Sequence, residues 1–200
     1  MPDGKVTREK LILPDVFTTI PEGIDLKNID LDINETDIKE LPNNLTLNTL
    51  RISDKLKKLP FNLTLLSQNM GFYSDNPNIT ELPKGFKSNC SLKLPYVTKF
   101  PDNFIVNGSL DLSRLKLEKS QLEYLPDNLT VTGILNLYLC DKLKSLPKNL
   151  KVDDLYLTHL EDGILPDDLQ ANFIQVNKKY GLYLKHIPNH LKSKIEYANH

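Results

Sequence analysis

Nine of the 13 prolines form a phased series of apolar–proline steps, and this series constrains the chain more than any other feature. The steps are Ile20-Pro21, Leu41-Pro42, Leu59-Pro60, Leu82-Pro83, Phe100-Pro101, Leu125-Pro126, Leu146-Pro147, Leu165-Pro166 and Ile187-Pro188. Successive prolines stand 21, 18, 23, 18, 25, 21, 19 and 22 residues apart. Three residues after each proline the chain is always apolar, from Ile24 and Leu45 to Leu169 and Leu191. Two after it stands Asn at Asn44, Asn62, Asn103, Asn128 and Asn149, and Gly at Gly23 and Gly85. Self-similarity at this period is the signature of a repeat architecture.

Each unit also carries one short alternating pair. The pairs read from the sequence are Ile29/Leu31, Leu50/Ile52, Met70/Phe72, Leu92/Leu94, Leu110/Leu112, Leu135/Leu137, Leu155/Leu157 and Ile174/Val176. Period-two alternation this brief predicts a short strand with one buried face. One more apolar residue usually precedes the next step by three, as at Phe17, Ile38, Leu56, Ile79, Val97, Leu122, Leu143 and Leu184. Proline fixes φ and lacks a donor, so each strand gives way to an extended return through the step. Asn or Gly then tolerates the tight bend. One unit cannot bury its 18–25 residues' worth of leucine, whereas stacked units share a continuous core. With parallel strands about 4.8 Å apart, nine units make a slab about 40 Å long. Units this short leave too little chain for full helices, so the back is expected to be extended or 3-10.

The pattern L-x-x-L-x-L-x-x-N/C-x-L is met best by Leu135-x-Leu137-x-x-Cys140-x-x-Leu143 and Ile29-x-Leu31-x-x-Asn34. These residues resemble the leucine-rich repeat family, and the Leu-Pro-x-Asn-Leu segment resembles its short bacterial subtype, seen in bacterial effectors and in phage and bacterial proteins. The resemblance spans about residues 17–191. The expected fold is therefore an α/β-class solenoid, mostly parallel β: a single-sheet array of about nine repeats with little α-helix. Residues 1–16 are expected as an N-terminal cap, with Leu11, Ile12 and Leu13 packing on Phe17 and Ile20, and residues 192–200 as a C-terminal cap or tail. Within that tail, Ile195 and Tyr197 alternate like a final edge strand.

Composition narrows the function. Twenty-five Lys+Arg against 26 Asp+Glu leave no bulk positive charge with which to hold nucleic acid. No apolar run reaches the length of a membrane helix, and no secretory h-region is visible, so a cytoplasmic location is expected, in a host cell if the chain is phage-encoded or delivered as an effector. Cys90 and Cys140 are too few for a disulfide framework or a thiolate metal site, and small buried thiols are expected. No phosphate loop, dinucleotide fingerprint or nucleophile elbow occurs, so no enzyme activity and no cofactor are expected. His186 and His190 stand four apart, but Pro188 lies between them, which predicts turn residues and not metal ligands. Seven Asn-x-Ser/Thr sequences, Asn44, Asn62 and Asn128 among them, fall in phase with the turns and read as turn chemistry.

What remains is a surface. Residues between and after the apolar pairs should point outward. One column runs Asp30, Arg51, Gly71, Lys93, Asp111, Asn136, Tyr156 and Gln175. A second, two residues later, runs Asp32, Ser53, Tyr73, Pro95, Ser113, Tyr138, Thr158 and Asn177. Tyr138 and Tyr156 fall on adjacent strands with Phe173 flanking the next, predicting an aromatic cluster of the kind found at interface hot spots. The candidate partner-binding residues are Asp30, Asp32, Arg51, Tyr73, Lys93, Asp111, Asn136, Tyr138, Tyr156, Thr158, Phe173, Gln175 and Asn177. Residues 15–40 carry eight acidic and two basic residues, and residues 170–200 five lysines against Glu196 alone. The expected function is a monomeric, non-enzymatic scaffold that binds another protein as inhibitor, adaptor or decoy. The second reading is a self-assembling structural or particle-associated protein whose charged ends or terminal strands mediate assembly.

Overall fold

A computed structural model describes residues 9–114 and 120–198. The chain winds as a mostly parallel β-solenoid of about nine turns. Its rungs are β1 (Glu9–Ile12), β2 (Ile29–Asp32), β4 (Thr49–Arg51), β6 (Phe72–Tyr73), β8 (Leu92–Lys93) and β10 (Leu110–Asp111). They continue through β11 (Thr130–Leu137), β12 (Lys151–Leu157), β13 (Phe173–Asn177) and β14 (Ile195–Ala198). The pairings between them are parallel, and the inward residues align as Leu11, Leu31 and Leu50, and again as Phe72, Leu92, Leu110, Leu135, Leu155, Ile174 and Ile195.

The coil carries a second ladder that the alternating pairs alone do not announce. Short strands β3 (Thr46–Leu47), β5 (Thr64–Leu65), β7 (Lys87–Ser88) and β9 (Ile105–Val106) pair with one another and with the first residues of β11. β11 and β12 run through both ladders, with an irregularity between Val131 and Ile134 where the coil turns its corner. A third set of contacts joins neighbouring coils on the return segment, where the Lys57 amide donates to the Lys39 carbonyl at 3.0 Å and that of Lys144 to Glu123 at 3.0 Å. Backbone groups are thus paired between coils on three sides, which is how a core this thin keeps its main chain satisfied. The return is extended, as expected; the two 3-10 segments, Lys178–Tyr180 and Asn189–Lys194, lie in the last coil.

The proline steps turn as their sequence dictates. Asn44, Asn62, Asn103, Asn128 and Asn149 all take positive φ, between 51° and 62°, and Gly23 and Gly85 take 75° and 76°. Asn and Gly are the residues that enter this region at least cost. The asparagines also bond to one another: Asn62 Nδ2 donates to Asn44 Oδ1 at 2.8 Å, Asn128 to Asn103 at 2.7 Å and Asn149 to Asn128 at 2.9 Å. At Gly85 the space a Cβ would need is filled by the Asn62 side chain. The Asn-Leu-Thr sequences therefore serve the turn.

Inside, Leu47, Leu56, Leu63, Leu110, Leu135, Leu155, Ile174 and Leu191 are fully buried in one continuous core. Each such side chain contributes about 1.5–3 kcal/mol on leaving water. Two register expectations need correction. In the first full coil the inward pair is Leu31/Ile33, with Ile33 fully buried, so Ile29 lies at the corner and buried Thr36, not Asn34, occupies the turn position, its hydroxyl donating to the Ile33 carbonyl at 2.9 Å. In the coil after Pro60, Phe72 aligns with Leu92 and is buried, while Met70 is 49% exposed; residues 67–71 form the extra length of that coil. At the N-terminal end Glu9–Ile12 is itself a rung paired to β2, so the ladder begins inside the segment expected as a cap. Leu13 is buried; Leu11 remains exposed at the end of the stack, and Ile12 is exposed because it alternates to the outward side of the strand.

Candidate functional site

The rung strands build the one extended face the sequence singled out. Because successive strand residues alternate sides, each residue between an inward pair points away from the core. The register assembles these residues into two runs, Ile12, Asp32 and Arg51 on one sheet and Tyr73, Lys93, Asp111, Asn136, Tyr156, Gln175 and Glu196 on the next, with β4 lying beside β6 at the break. Asp32 and Tyr73 therefore belong to the first column and not the second. Asp30 and Gly71 move to the column before it, which is the direct consequence of the two register corrections.

The second column does not form an open surface. Ser53, Ser113 and Thr158 are buried, at 3%, 4% and 1% exposure, and Asn177 is at 8%. Their polar atoms are spent on the chain. Thr158 Oγ1 accepts the Leu139 amide at 2.7 Å, across a coil step where Leu139 itself takes φ 59°. Asn177 Oδ1 accepts the Lys179 amide at 3.0 Å and starts the 3-10 turn. Thr158 and Asn177 are thus withdrawn from the partner-facing set: at this position the chain leaves the sheet, and a short polar side chain satisfies the turn amides.

Several first-column residues do the same job part-time. Asp32, Asp111 and Asn136 each use Oδ1 to accept the amide two residues on, at 3.1, 2.9 and 3.1 Å. Asp32 is buried and lies between Lys10 Nζ at 3.7 Å and Arg51 Nη1 at 3.6 Å. Asp30 accepts from the Thr49 hydroxyl at 3.0 Å and from Asn48 Nδ2. The acidic residues predicted on this face are consequently held by their own neighbours.

Arg51 and Tyr73 are exposed on this face, and Lys93, Tyr156, Phe173 and Gln175 are half-buried on it. Tyr73 is 63% exposed and lies level with Lys93. Its ring folds back over Gly71, where any Cβ would overlap it. Lys93 lies level with Asp111 on its other side. Further along, the Tyr156 and Phe173 rings meet edge to face, 6.4 Å apart at 84°, forming part of the expected cluster. Tyr138 is half-buried and follows the end of β11. Tyr96, which the pattern did not select, stacks against the buried Arg114 guanidinium at 4.2 Å; Arg114 Nε donates to the Pro95 carbonyl at 3.0 Å.

The chain's nucleophilic and metal-ligating side chains are placed elsewhere. Cys140 is fully buried, its thiol donating to the Leu112 carbonyl at 3.4 Å, and burial pushes its pKa up to about 12. Burial also raises Cys90, which lies beside the Ser88 hydroxyl. His186 Nε2 meets Asp167 Oδ1 at 3.1 Å and His190 Nε2 meets the Leu169 carbonyl at 3.0 Å, each tying its turn to the preceding coil. Among the described residues no three His, Cys, Asp or Glu side chains gather as a metal site, and no helix is long and apolar enough to cross a membrane. Compared with protein-family models, curated proteins and solved structures, the chain matches none.

Proposed function

We propose that this chain is a protein-binding scaffold that docks its partner on the rung face between Arg51 and Gln175. The observation that carries this reading is the split within the face. Its acidic and small polar residues are engaged by the protein's own backbone and side chains, while Tyr73 stands exposed and the Tyr156–Phe173 ring pair, half-buried, keeps its outer edge on the sheet surface. Aromatic anchors on a framework that need not rearrange bind with little loss of conformational entropy. Seven rungs at about 4.8 Å spacing span about 29 Å. That length suits a footprint of about 800 Å² on one partner domain. The repeat resemblance adds the biological setting: an inhibitor, adaptor or decoy of bacterial or phage origin, acting in the cytoplasm without catalysis.

The test is photo-crosslinking from residues 73 and 175, compared with residue 57 on the return side of the coil. Crosslinks to one partner from the first two positions and not the third support the face. Tyr73→Ala combined with Tyr156→Ala should then weaken that partner's binding at least tenfold, about 1.4 kcal/mol or more, with an unchanged melting temperature. Equal crosslinking from residue 57, or undiminished affinity of the double variant, removes the proposal.

A further inference from the structure

Among the described residues, each end of the coil stack finishes on a strand edge with no neighbour: β1 pairs only with β2, and β14 only with β13. The hydrogen-bond pattern fixes which groups those edges offer. Inward residues donate to the following coil: Leu92 and Leu94 to the Ser109 and Asp111 carbonyls, at 2.8 and 2.9 Å, and Phe72 and Ser74 to Ser91 and Lys93, both at 2.9 Å. The N–H and C=O of one strand residue point to the same edge, so the outward residues address the preceding coil. Lys10 and Ile12 therefore aim their backbone groups out of the N-terminal end, and Ile195 and Tyr197 theirs out of the C-terminal end.

These two edges are complementary to each other and not to themselves. Placing β14 beside the β1 of a second copy continues the parallel ladder, with Ile195 level with Leu11 and the Tyr197 amide facing the Ile12 carbonyl. The step sets the side chains of Ile195 and Tyr197 (41% exposed) against Leu11 and Leu13, while Ile12, 59% exposed, joins the outward column beside Glu196. Charge selects the same arrangement. Residues 9–40 hold nine acidic and three basic side chains, and residues 173–198 hold five lysines and one glutamate. Joining like ends brings charges of one sign together; joining unlike ends pairs them.

We infer that copies of this chain associate head to tail, β14 of one molecule adding to β1 of the next. A heterologous contact of this kind does not close on a dimer and propagates as an open chain. The rung face runs along the side of such a chain and stays free, so this inference stands independently of the proposed function.

Sedimentation velocity and light scattering of the full chain at low salt, over a wide concentration range, test it. The average mass should climb past twice the monomer without a plateau, and added salt should lower it. Proline at position 12 or 197 removes an outward N–H that no internal bond uses. Ile12→Pro and Tyr197→Pro should each stay monomeric alone, because each retains only one open end, and their equal mixture should stop at a dimer. Where either proline variant melts early, Ile12→Lys or Tyr197→Glu sets a charge of the facing end's sign on the same edge and blocks it. A wild-type chain that stays monomeric throughout, that halts at a dimer, or whose single variants still pair overturns the inference.

Discussion

Replacing Asn128 by alanine isolates the physics of the proline step. Asn128 sits at φ 59° in the turn after Pro126. Its amide donates to Asn103 Oδ1 at 2.7 Å, and its own Oδ1 accepts from Asn149 at 2.9 Å. Alanine in the left-handed region costs about 1 kcal/mol more than asparagine. Two exposed amide–amide hydrogen bonds contribute about 0.5 kcal/mol each. The expected loss is about 2 kcal/mol, a fall of about 4–8 °C in melting temperature for a chain of this size. Asn128→Gly loses the same hydrogen bonds but meets no Cβ strain, so its fall should be about half as large. Thermal and urea unfolding of both variants, followed by circular dichroism, measures the difference. If alanine proves no worse than glycine, positive φ is not what selects asparagine here, and the account of the turn is wrong.

Two further predictions concern the interior. Leu155→Ala empties a fully buried site where β12 lies between β11 and β13, and should cost about 2–5 kcal/mol in urea titration. Cys140 gives a pH signature: its folded pKa of about 12 lies above the ordinary 9.0, so the thiol favours the folded state below pH 9 and loses that contribution as pH rises toward 12. Between those limits wild type should lose up to about 1.4 kcal/mol more per pH unit than Cys140→Ala, read from unfolding curves at matched pH. Parallel slopes for the two proteins would contradict a buried, protonated thiol.

Period and turn chemistry were legible in the residues because both are local. The Leu-Pro spacing, the apolar residue three places on and the Asn or Gly between them state the coil and its bends directly. The second ladder was hidden because its strands are two residues long and look like flanks of the Pro-x-Asn-Leu turn. Register failed in the two coils where Ile29 and Met70 offered themselves as apolar partners one step early. Counting back from the next step does not resolve them, since Leu31 and Phe72 stand ten residues before Leu41 and Leu82 but Leu92 stands eight before Phe100 and Leu135 eleven before Leu146. The face was half legible. Alternation identifies which side chains leave the core, but it does not show that Thr158 and Asn177 bend back to cap turn amides, or that Asp30 is hydrogen-bonded and Asp32 ion-paired by residues of neighbouring coils. Apart from the local Asn177 bond, those contacts join residues 18 to 22 apart and need the stacking register, which is a tertiary property.

Everything rests on coils stacked in parallel with Leu92, Leu110 and Leu135 in line. Scalar couplings across hydrogen bonds in a deuterated, labelled sample read this directly. The amides of Leu94 and Leu112 should couple to the carbonyls of Asp111 and Asn136, one coil further on. Couplings from these amides to carbonyls of their own coil, or close Hα–Hα contacts of antiparallel pairs, would show that the rungs do not stack in this way.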